Sequence, residues 1–383
     1  MPLPRFQVTP VRGPRELKEF ATFPWKVYRG DRNWVPPLIR DTLAMLDRTK
    51  HPFHEHGEVE YFLARRRESG PEGRAGEVVG RIAAIINRLH NEFHQEKAGF
   101  FGFFETMPDP LISASLLQAA SDWLGERGME CVRGPASFSS NEEFGLLVDG
   151  FDSAPMILMP YNPPYYADHL ESAGFAKEKD LLAFYLQDEV APERVLRLAQ
   201  RLAERSSVKV RFFEKKRFRQ EVELVRDLYN RAWEKNWGFV PMTDAEIDHM
   251  AASLKPAIDP RLILFAEIEG KPIGFALALP DLNQAIAKAN GRLFPFGMIR
   301  ILLESRRVHR VRVLTLGVLP EYRRLGADLL LYAMLYSDGV RRGYHAGEFS
   351  WILEDNELMK KPLQALGATV YKTYRVYDRP IAR

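Results

Sequence analysis

From Val208 onward, apolar positions follow two rhythms. Val208–Phe213, Leu262–Glu269, Lys271–Ala278, Val308–Gly317 and Gly347–Leu353 alternate, or run apolar briefly, as strands do. Gln220–Lys235, Asp244–Ser253, Gly326–Arg342 and Asn356–Leu366 repeat apolar residues three and four apart, as helices do. A last strand is predicted within Thr369–Tyr377. The first half carries a similar series, with strands near Glu60, Val78, Phe100 and Cys131 and a helix over Leu111–Glu126.

Short segments match between the halves, in one order. "NWVPPL" from Asn33 answers "NWGFVPM" from Asn236, and "EYFLAR" from Glu60 answers "LILFAE" from Leu262. "GEVVGRIAAIIN" from Gly76 answers "GKPIGFALALPD" from Gly270, and "HLESAGFAKEKDLLAFYL" from His169 answers "PLQALGATVYKTYRVY" from Pro362. Matches kept in register indicate two copies of one domain. Pro192–Arg205, helical in pattern, joins them, so the domains are expected over 1–190 and 191–383. The fold class expected is α/β, with an α+β mixed sheet in each of two tandem domains. The copies differ by insertions, Ala136–Tyr166 in the first and Asp281–Arg307 in the second. Long insertions in compact domains tend to carry function.

Composition narrows the classes. The 383 residues are 46% hydrophobic and 27% charged, and the formal net charge is +3. That balance suits sizeable cores and excludes a chain-wide nucleic-acid coat, so no nucleic-acid partner is expected. Cys131 is the single cysteine. It permits no internal disulfide and reads as a buried structural residue in a reducing compartment. "MPLPRFQVTPVRG" lacks the apolar core of a signal peptide, and no apolar run approaches a membrane span. A cytoplasmic protein, at most peripheral to the inner membrane, is expected. His51, His54 and His56 lie close in sequence, but a metal site needs more ligands, and no metal is expected.

The junction "GVLPEYRRLGADLLLYAML", Gly317–Leu335, runs from strand through an arginine-bearing turn into a helix. A helix N-terminus has unpaired N–H groups and a positive dipole end, so it can hold an anion. The N–H groups of Arg324, Leu325, Gly326 and Ala327 are the candidates, with Arg323 and Arg324 adding charge. Taken alone, Arg-x-x-Gly reads rather as a capped turn with solvated arginines than as an anion site.

The order of elements around Arg323-x-x-Gly326-Ala327, with the strand "GEFSWIL" and Asn356 opening the next helix, resembles the GCN5-related N-acyltransferase superfamily. The resemblance covers most of both halves. "NWGFVP", "LFPFG" and "SWILEDN" resemble a narrower tandem-domain bacterial group that includes acyl-CoA-dependent ceramide synthases. The resemblance implies an acyl-CoA or acetyl-CoA co-substrate, its pyrophosphate on Arg323–Ala327. It also implies a pantetheine arm between the fourth and fifth strands of the second copy, near Asn356. Three departures stand out. Asp328 replaces a small residue, Leu363 occupies the position of the usual general-acid tyrosine, and the fourth strand offers no glutamate as base. The first copy's junction, "FFETMPDPLISASLLQ", has prolines at 108 and 110, Asp109 and no arginine or glycine, so CoA is not expected there.

Amine attack on a thioester needs a base, oxyanion donors and an outlet for the leaving thiolate. Backbone N–H groups near Leu316, Gly317 and Val318 are the expected oxyanion donors. Glu354 is the expected base, against the alternative that it caps the next helix, as Asp355 does. Tyr371 and Tyr374 are candidate acids, against ordinary packing. Trp237 and Phe239 are expected to border the acceptor, with Trp233 in the core. The insertion over Asn290–Arg310 packs Phe294, Phe296 and aliphatic residues between arginines. It is suited to bind a long acyl chain or to lie on a membrane surface, or else to pack as a helix between domains. The resulting expectation is an enzyme that moves an acyl group, favoured as long-chain, from CoA to an amine, favoured as a sphingoid-type lipid. A small-molecule or peptide N-acetyltransferase and a non-catalytic CoA sensor are the alternatives.

Overall fold

The computed structural model describes residues 5–68, 74–187 and 193–382. The expected boundary at 190/191 and Pro192 lie outside the described residues. The chain forms two compact units. Unit 1 takes Met1–Asp180, Ile286–Met298 and Tyr374–Arg383, and unit 2 takes Leu181–Ala285 and Ile299–Thr373.

Unit 1 contains β1 (Phe6–Pro10), α1 (Gly13–Thr22), β2 (Gly57–Arg66), β3 (Val78–Asn87), β4 (Ala98–Thr106), α2 (Pro110–Gly125), β5 (Cys131–Gly134) and α3 (Tyr166–Ser172). Strands β1 to β4 pair antiparallel in order, and α2 crosses over to bring β5 parallel to β4. Every residue of β4 is buried, so its alternation is lost and it reads as a continuous apolar run. Ile82, Phe101, Leu116, Leu117 and Tyr377 share the core beneath the sheet.

Strand β6 (Ala176–Gln187) begins in unit 1 and continues in unit 2. Unit 2 then follows with α4 (Glu193–Arg205), β7 (Lys209–Phe212), α5 (Phe218–Ala232), α6 (Asp244–Leu254), β8 (Ile263–Ile268) and β9 (Lys271–Pro280). After the insertion, which holds α7 (Gly297–Ser305), come β10 (Arg310–Val318), α8 (Ala327–Arg341), β11 (Ala346–Leu353) and α9 (Glu357–Ala365). The last strand, β12 (Thr369–Pro380), passes back to unit 1 after Thr373. Strands β7 to β10 pair antiparallel, β11 is parallel to β10, and Leu181–Gln187 of β6 runs antiparallel to β11. The elements predicted from periodicity are present, with ends shifted by a few residues. Helix α6 starts where a reciprocal cap fixes it: Glu246 N–H donates to Thr243 Oγ1 at 3.2 Å, and Thr243 N–H donates to Glu246 Oε2 at 2.9 Å.

Both units repeat two details. The antiparallel ladder into the fourth strand slips, between Arg81 and Ala83 in unit 1 and between Leu277 and Ala278 in unit 2. The parallel ladder to the fifth strand then stops early, at Phe100/Arg133 in unit 1 and Val313/Phe349 in unit 2. A bulge twists and bends its strand, so the slip turns the fourth strand away from its parallel neighbour.

Candidate active site

In unit 2 β10 and β11 part beyond a short parallel ladder. Past Val313 and Phe349, β10 runs on to Val318 and β11 to Leu353 without pairing to each other. Leu277 pairs with Thr315 and Ala278 with Val313, so Leu314 is the bulged residue. Three polar atoms cluster by sequence around this split and are buried without a hydrogen-bond partner: Thr315 Oγ1 on β10, Trp351 Nε1 on β11 and Tyr332 OH on α8. The Tyr332 ring lies 5.7 Å from that of Phe349, the last residue of β11 paired with β10. Buried polar groups are normally satisfied, so three unpartnered ones on these neighbouring elements stand out.

The strand end leads into the turn that the sequence marks as a candidate anion loop. A 3₁₀ turn over Pro320–Leu325 precedes Gly326, whose φ is +71°. A Cβ there would adopt a strained backbone and lie 2.5 Å from Leu202 Cδ2 of α4, so the position favours glycine. No side chain caps the N-terminus of α8, which leaves its first N–H groups for an anion. Arg323 is committed to the turn: Nε donates to Val318 O at 3.2 Å and Nη2 donates to Ala232 O at 3.0 Å. Arg324 and Leu325 are exposed beside the helix end, and Ala327 is fully buried beneath it. Asp328 makes neither a capping hydrogen bond nor an ion pair among the described residues. Its carboxylate instead adds to the burial that raises the Tyr332 hydroxyl. Leu316 and Val318 are buried, and Gly317 is pressed by Trp233, whose ring would lie 2.3 Å from an added Cβ. Trp233 also stacks with Tyr229 and meets Phe275, the core role expected of it.

Beside the split lies a buried polar network that the sequence reading missed. Glu348 of β11 is fully buried and pairs by register with Arg312 of β10, one residue before the ladder ends. Arg312 Nε approaches Glu348 Oε1 at 3.4 Å and donates to Ser350 Oγ at 2.9 Å. Ser350 Oγ donates to Glu348 Oε1 at 2.6 Å, and the Tyr371 hydroxyl donates to Glu348 Oε2. Burial raises the Glu348 carboxyl above its ordinary range, opposed by Arg312 and the two hydroxyl donors, with Asp281 adding to the rise. Asp281, itself fully buried, is held by Arg310 Nη2 at 3.0 Å. The signal was a glutamate and a serine two apart in a strand whose neighbours come from both sides.

The remaining candidates are placed as follows. Glu354 lies just past β11, with its backbone carbonyl accepting from Lys360 Nζ at 2.6 Å. Asn356 caps α9, accepting from Met359 N–H at 3.3 Å. Leu363 is fully buried in the unit 2 core. Trp237 is half-buried, while Phe239 is buried with its ring 5.7 Å from Tyr229. Tyr371 belongs to unit 2, whereas Tyr374, Phe294 and Phe296 belong to unit 1. The Cys131 thiol is pushed up to about 12, first by burial, which makes it a poor nucleophile.

Unit 1 fills the equivalent split with its own chain. A Cβ at Gly102 of β4 would lie 2.0 Å from Ala136 O, and one at Gly134 would lie 2.4 Å from Phe101 O. The insertion after β5 therefore occupies the opening. Asp109 caps α2, accepting from Leu111 N–H at 2.9 Å, so a carboxylate already holds the anion position. Glu105, near the end of β4, is buried and accepts from Tyr28 OH at 2.9 Å and Tyr166 OH at 2.7 Å.

No protein-family model matches the chain. Among characterised sequences it is 38% identical over 384 residues to the bacterial ceramide synthase of Caulobacter vibrioides (strain NA1000 / CB15N), covering 98% of this chain and 97% of that protein. It is also 38% identical over 374 residues to Protein YghO of Escherichia coli (strain K12), covering 96% and 93%. Among solved structures it resembles a tandem GNAT protein from the clavulanic acid biosynthesis pathway, with a TM-score of 0.57 at 12% identity over 99% of both chains. A GCN5-related N-acetyltransferase from Sphaerobacter thermophilus gives 0.54 at 15% identity over 99% and 96%. The structural likeness establishes the tandem acyltransferase fold expected from the strand order.

Proposed function

Because the chain belongs to the family of the bacterial ceramide synthase and Protein YghO, we propose that it is an N-acyltransferase using an acyl-CoA donor bound by unit 2. The observation that carries this reading is the contrast between the two splits. In unit 2 β10 and β11 run on unpaired past Val313 and Phe349, unpartnered polar atoms sit on these strands and on α8, and the start of α8 has no side-chain cap. Unit 1 fills its own split with backbone and a capping carboxylate. The CoA phosphates are assigned to the N–H groups from Arg324 to Ala327 with Arg324 beside them. The pantetheine arm is assigned to the split, where Thr315, Tyr332 and Trp351 offer hydrogen bonds. The acceptor is a lipid amine of sphingoid type, because a ceramide is the amide of a fatty acid and a sphingoid base. The enzyme meets that acceptor at a membrane surface, and Trp237 borders the acceptor.

The neutral amine attacks the thioester carbonyl carbon, with the oxyanion on N–H groups of β10 near Leu316–Val318, where the strand has no pairing to β11. The C–N bond forms as the C–S bond breaks, and the amine proton passes to Glu348. Tyr371, hydrogen-bonded to Glu348, completes the relay that returns a proton to the CoA thiolate. A carboxyl raised by burial is a better base near neutral pH than a solvated one. Glu354, at the end of the same strand, is the competing base.

Acylation assays with CoA esters from acetyl to long-chain, using a sphingoid base and read by mass spectrometry, test the proposal. The expected outcome is amide formation that strengthens with acyl length. A preference for acetyl-CoA with no gain from longer chains would overturn the long-chain assignment. Tight binding of CoA esters with no acyl transfer to any amine would favour the sensor.

A further inference from the structure

Exposed large apolar side chains concentrate in one stretch of the chain. Phe294, Phe296, Met298, Ile299, Leu302 and Leu303 are 82%, 63%, 45%, 54%, 60% and 58% exposed. Helix α7 puts Met298, Ile299, Leu302 and Leu303 along one side, since neighbours four apart share a helix face. Side chains this open are not those of a packed helix, which was one sequence-level alternative.

The approach to the helix is firmly built. Trp25 Nε1 donates to Asn290 Oδ1 at 3.1 Å, and Ile39 N–H donates to Gly291 O at 3.0 Å. A Cβ at Gly291 would lie 2.2 Å from the Trp25 ring, and one at Gly297 would lie 1.8 Å from Arg292 O. Exposed apolar side chains this concentrated along one helix and the turn that leads into it mark an interaction site.

Charge identifies the partner. Between Leu282 and His309 the chain carries Lys288, Arg292, Arg300, Arg306 and Arg307 against one acid, Glu304. Glu304 pairs with Arg307 at 3.2 Å, while Arg292, Arg300 and Arg306 are exposed. A second copy meeting this face across a two-fold axis would set arginines against arginines. An anionic lipid surface supplies both missing halves, hydrocarbon for the apolar side chains and phosphates for the arginines.

We propose that Arg292–Arg307 is a membrane-docking element, its apolar side chains entering an anionic leaflet and its arginines lying among the phosphates. The inference deepens the lipid-amine reading and rests on it for its purpose, while its geometry is independent of that reading. The full chain is sedimented with vesicles of phosphatidylcholine, alone or mixed with phosphatidylglycerol. Partition into the mixed vesicles is expected, weaker by about tenfold or more on phosphatidylcholine alone. Leu302→Ser with Leu303→Ser, and separately Arg300→Glu with Arg306→Glu, are each expected to lower partition by about tenfold or more. Both variants should melt as the parent does and still acylate a short, water-soluble amine. That last readout separates loss of docking from failure of the acyltransferase reading. The proposal is overturned if neither vesicle binds the parent or if both variants bind as it does. It is equally overturned if Leu302→Ser with Leu303→Ser merely turns a dimer into a monomer.

Discussion

Glu348 is surrounded by one guanidinium and two hydroxyls in a place where a charge is costly. Glu348→Gln should lower kcat by about 10²- to 10⁴-fold, the usual range for a lost general base. The base works only when deprotonated, so parent activity should fall as pH drops through the raised Glu348 value, and the variant should lose that acidic limb. If Glu354→Gln removes the limb and Glu348→Gln does not, the assignment moves to Glu354. Glu105 provides a second residue-scale test. Burial first, then Glu143, pushes its carboxyl up to about 7 against Arg81, Tyr166 and Tyr28. A raised folded value favours the protonated form, so its contribution to stability is complete below the ordinary carboxylate value. It is lost as pH rises to about 7, on the order of 3 kcal/mol. Glu105→Gln should flatten that slope in urea melts run from pH 4.5 to 7.5. Neither carboxyl could be weighed from sequence, because their burial is created by strands far away in the chain. Glu354, beside a helix start, carried the more visible signal, and local patterns favour such positions.

Periodicity gave the strands and helices of unit 2 to within a few residues. It could not say where two strands stop pairing, since that depends on a bulge set by register with a third strand. The turn, the glycine and the helix start after β10 were legible because each is set locally. The commitment of Arg323 to two carbonyls was not, since one of them, on Ala232, lies at the end of α5. Arg324→Ala should therefore raise KM for the CoA ester several-fold with little change in melting temperature. Arg323→Ala should cost both stability and binding by loosening the turn. Gly326→Ala combines a positive φ with the approach of Leu202. It should destabilise by roughly 1–3 kcal/mol, seen as a lowered urea midpoint, and weaken CoA ester binding measured by calorimetry.

For the whole molecule, the duplication was readable from matched segments, and the structure repeats it down to the slipped ladder and the early end of the parallel pairing. What the matches could not reveal is that the compact units share out the chain differently from two consecutive halves. Strand β5 pairs with β4 on one side and with Tyr377–Pro380 of β12 on the other. A fragment ending before Tyr374 would leave that edge bare, and bare edges aggregate. Residues 1–190 expressed alone should therefore be insoluble or molten, whereas adding the peptide Tyr374–Arg383 should recover some folded material, monitored by near-ultraviolet circular dichroism.

The division of β12 also sets an order of events during synthesis. Domains made early on the ribosome commonly fold before later ones emerge. Unit 1 cannot complete its sheet in that way, because Tyr374–Arg383 is translated long after Asp180. Unit 2 loses nothing by the wait, since its last residue, Thr373, precedes that segment. Both units are thus complete only once β12 is made, unit 2 at Thr373 and unit 1 with the segment that follows directly, so neither closes far ahead of the other.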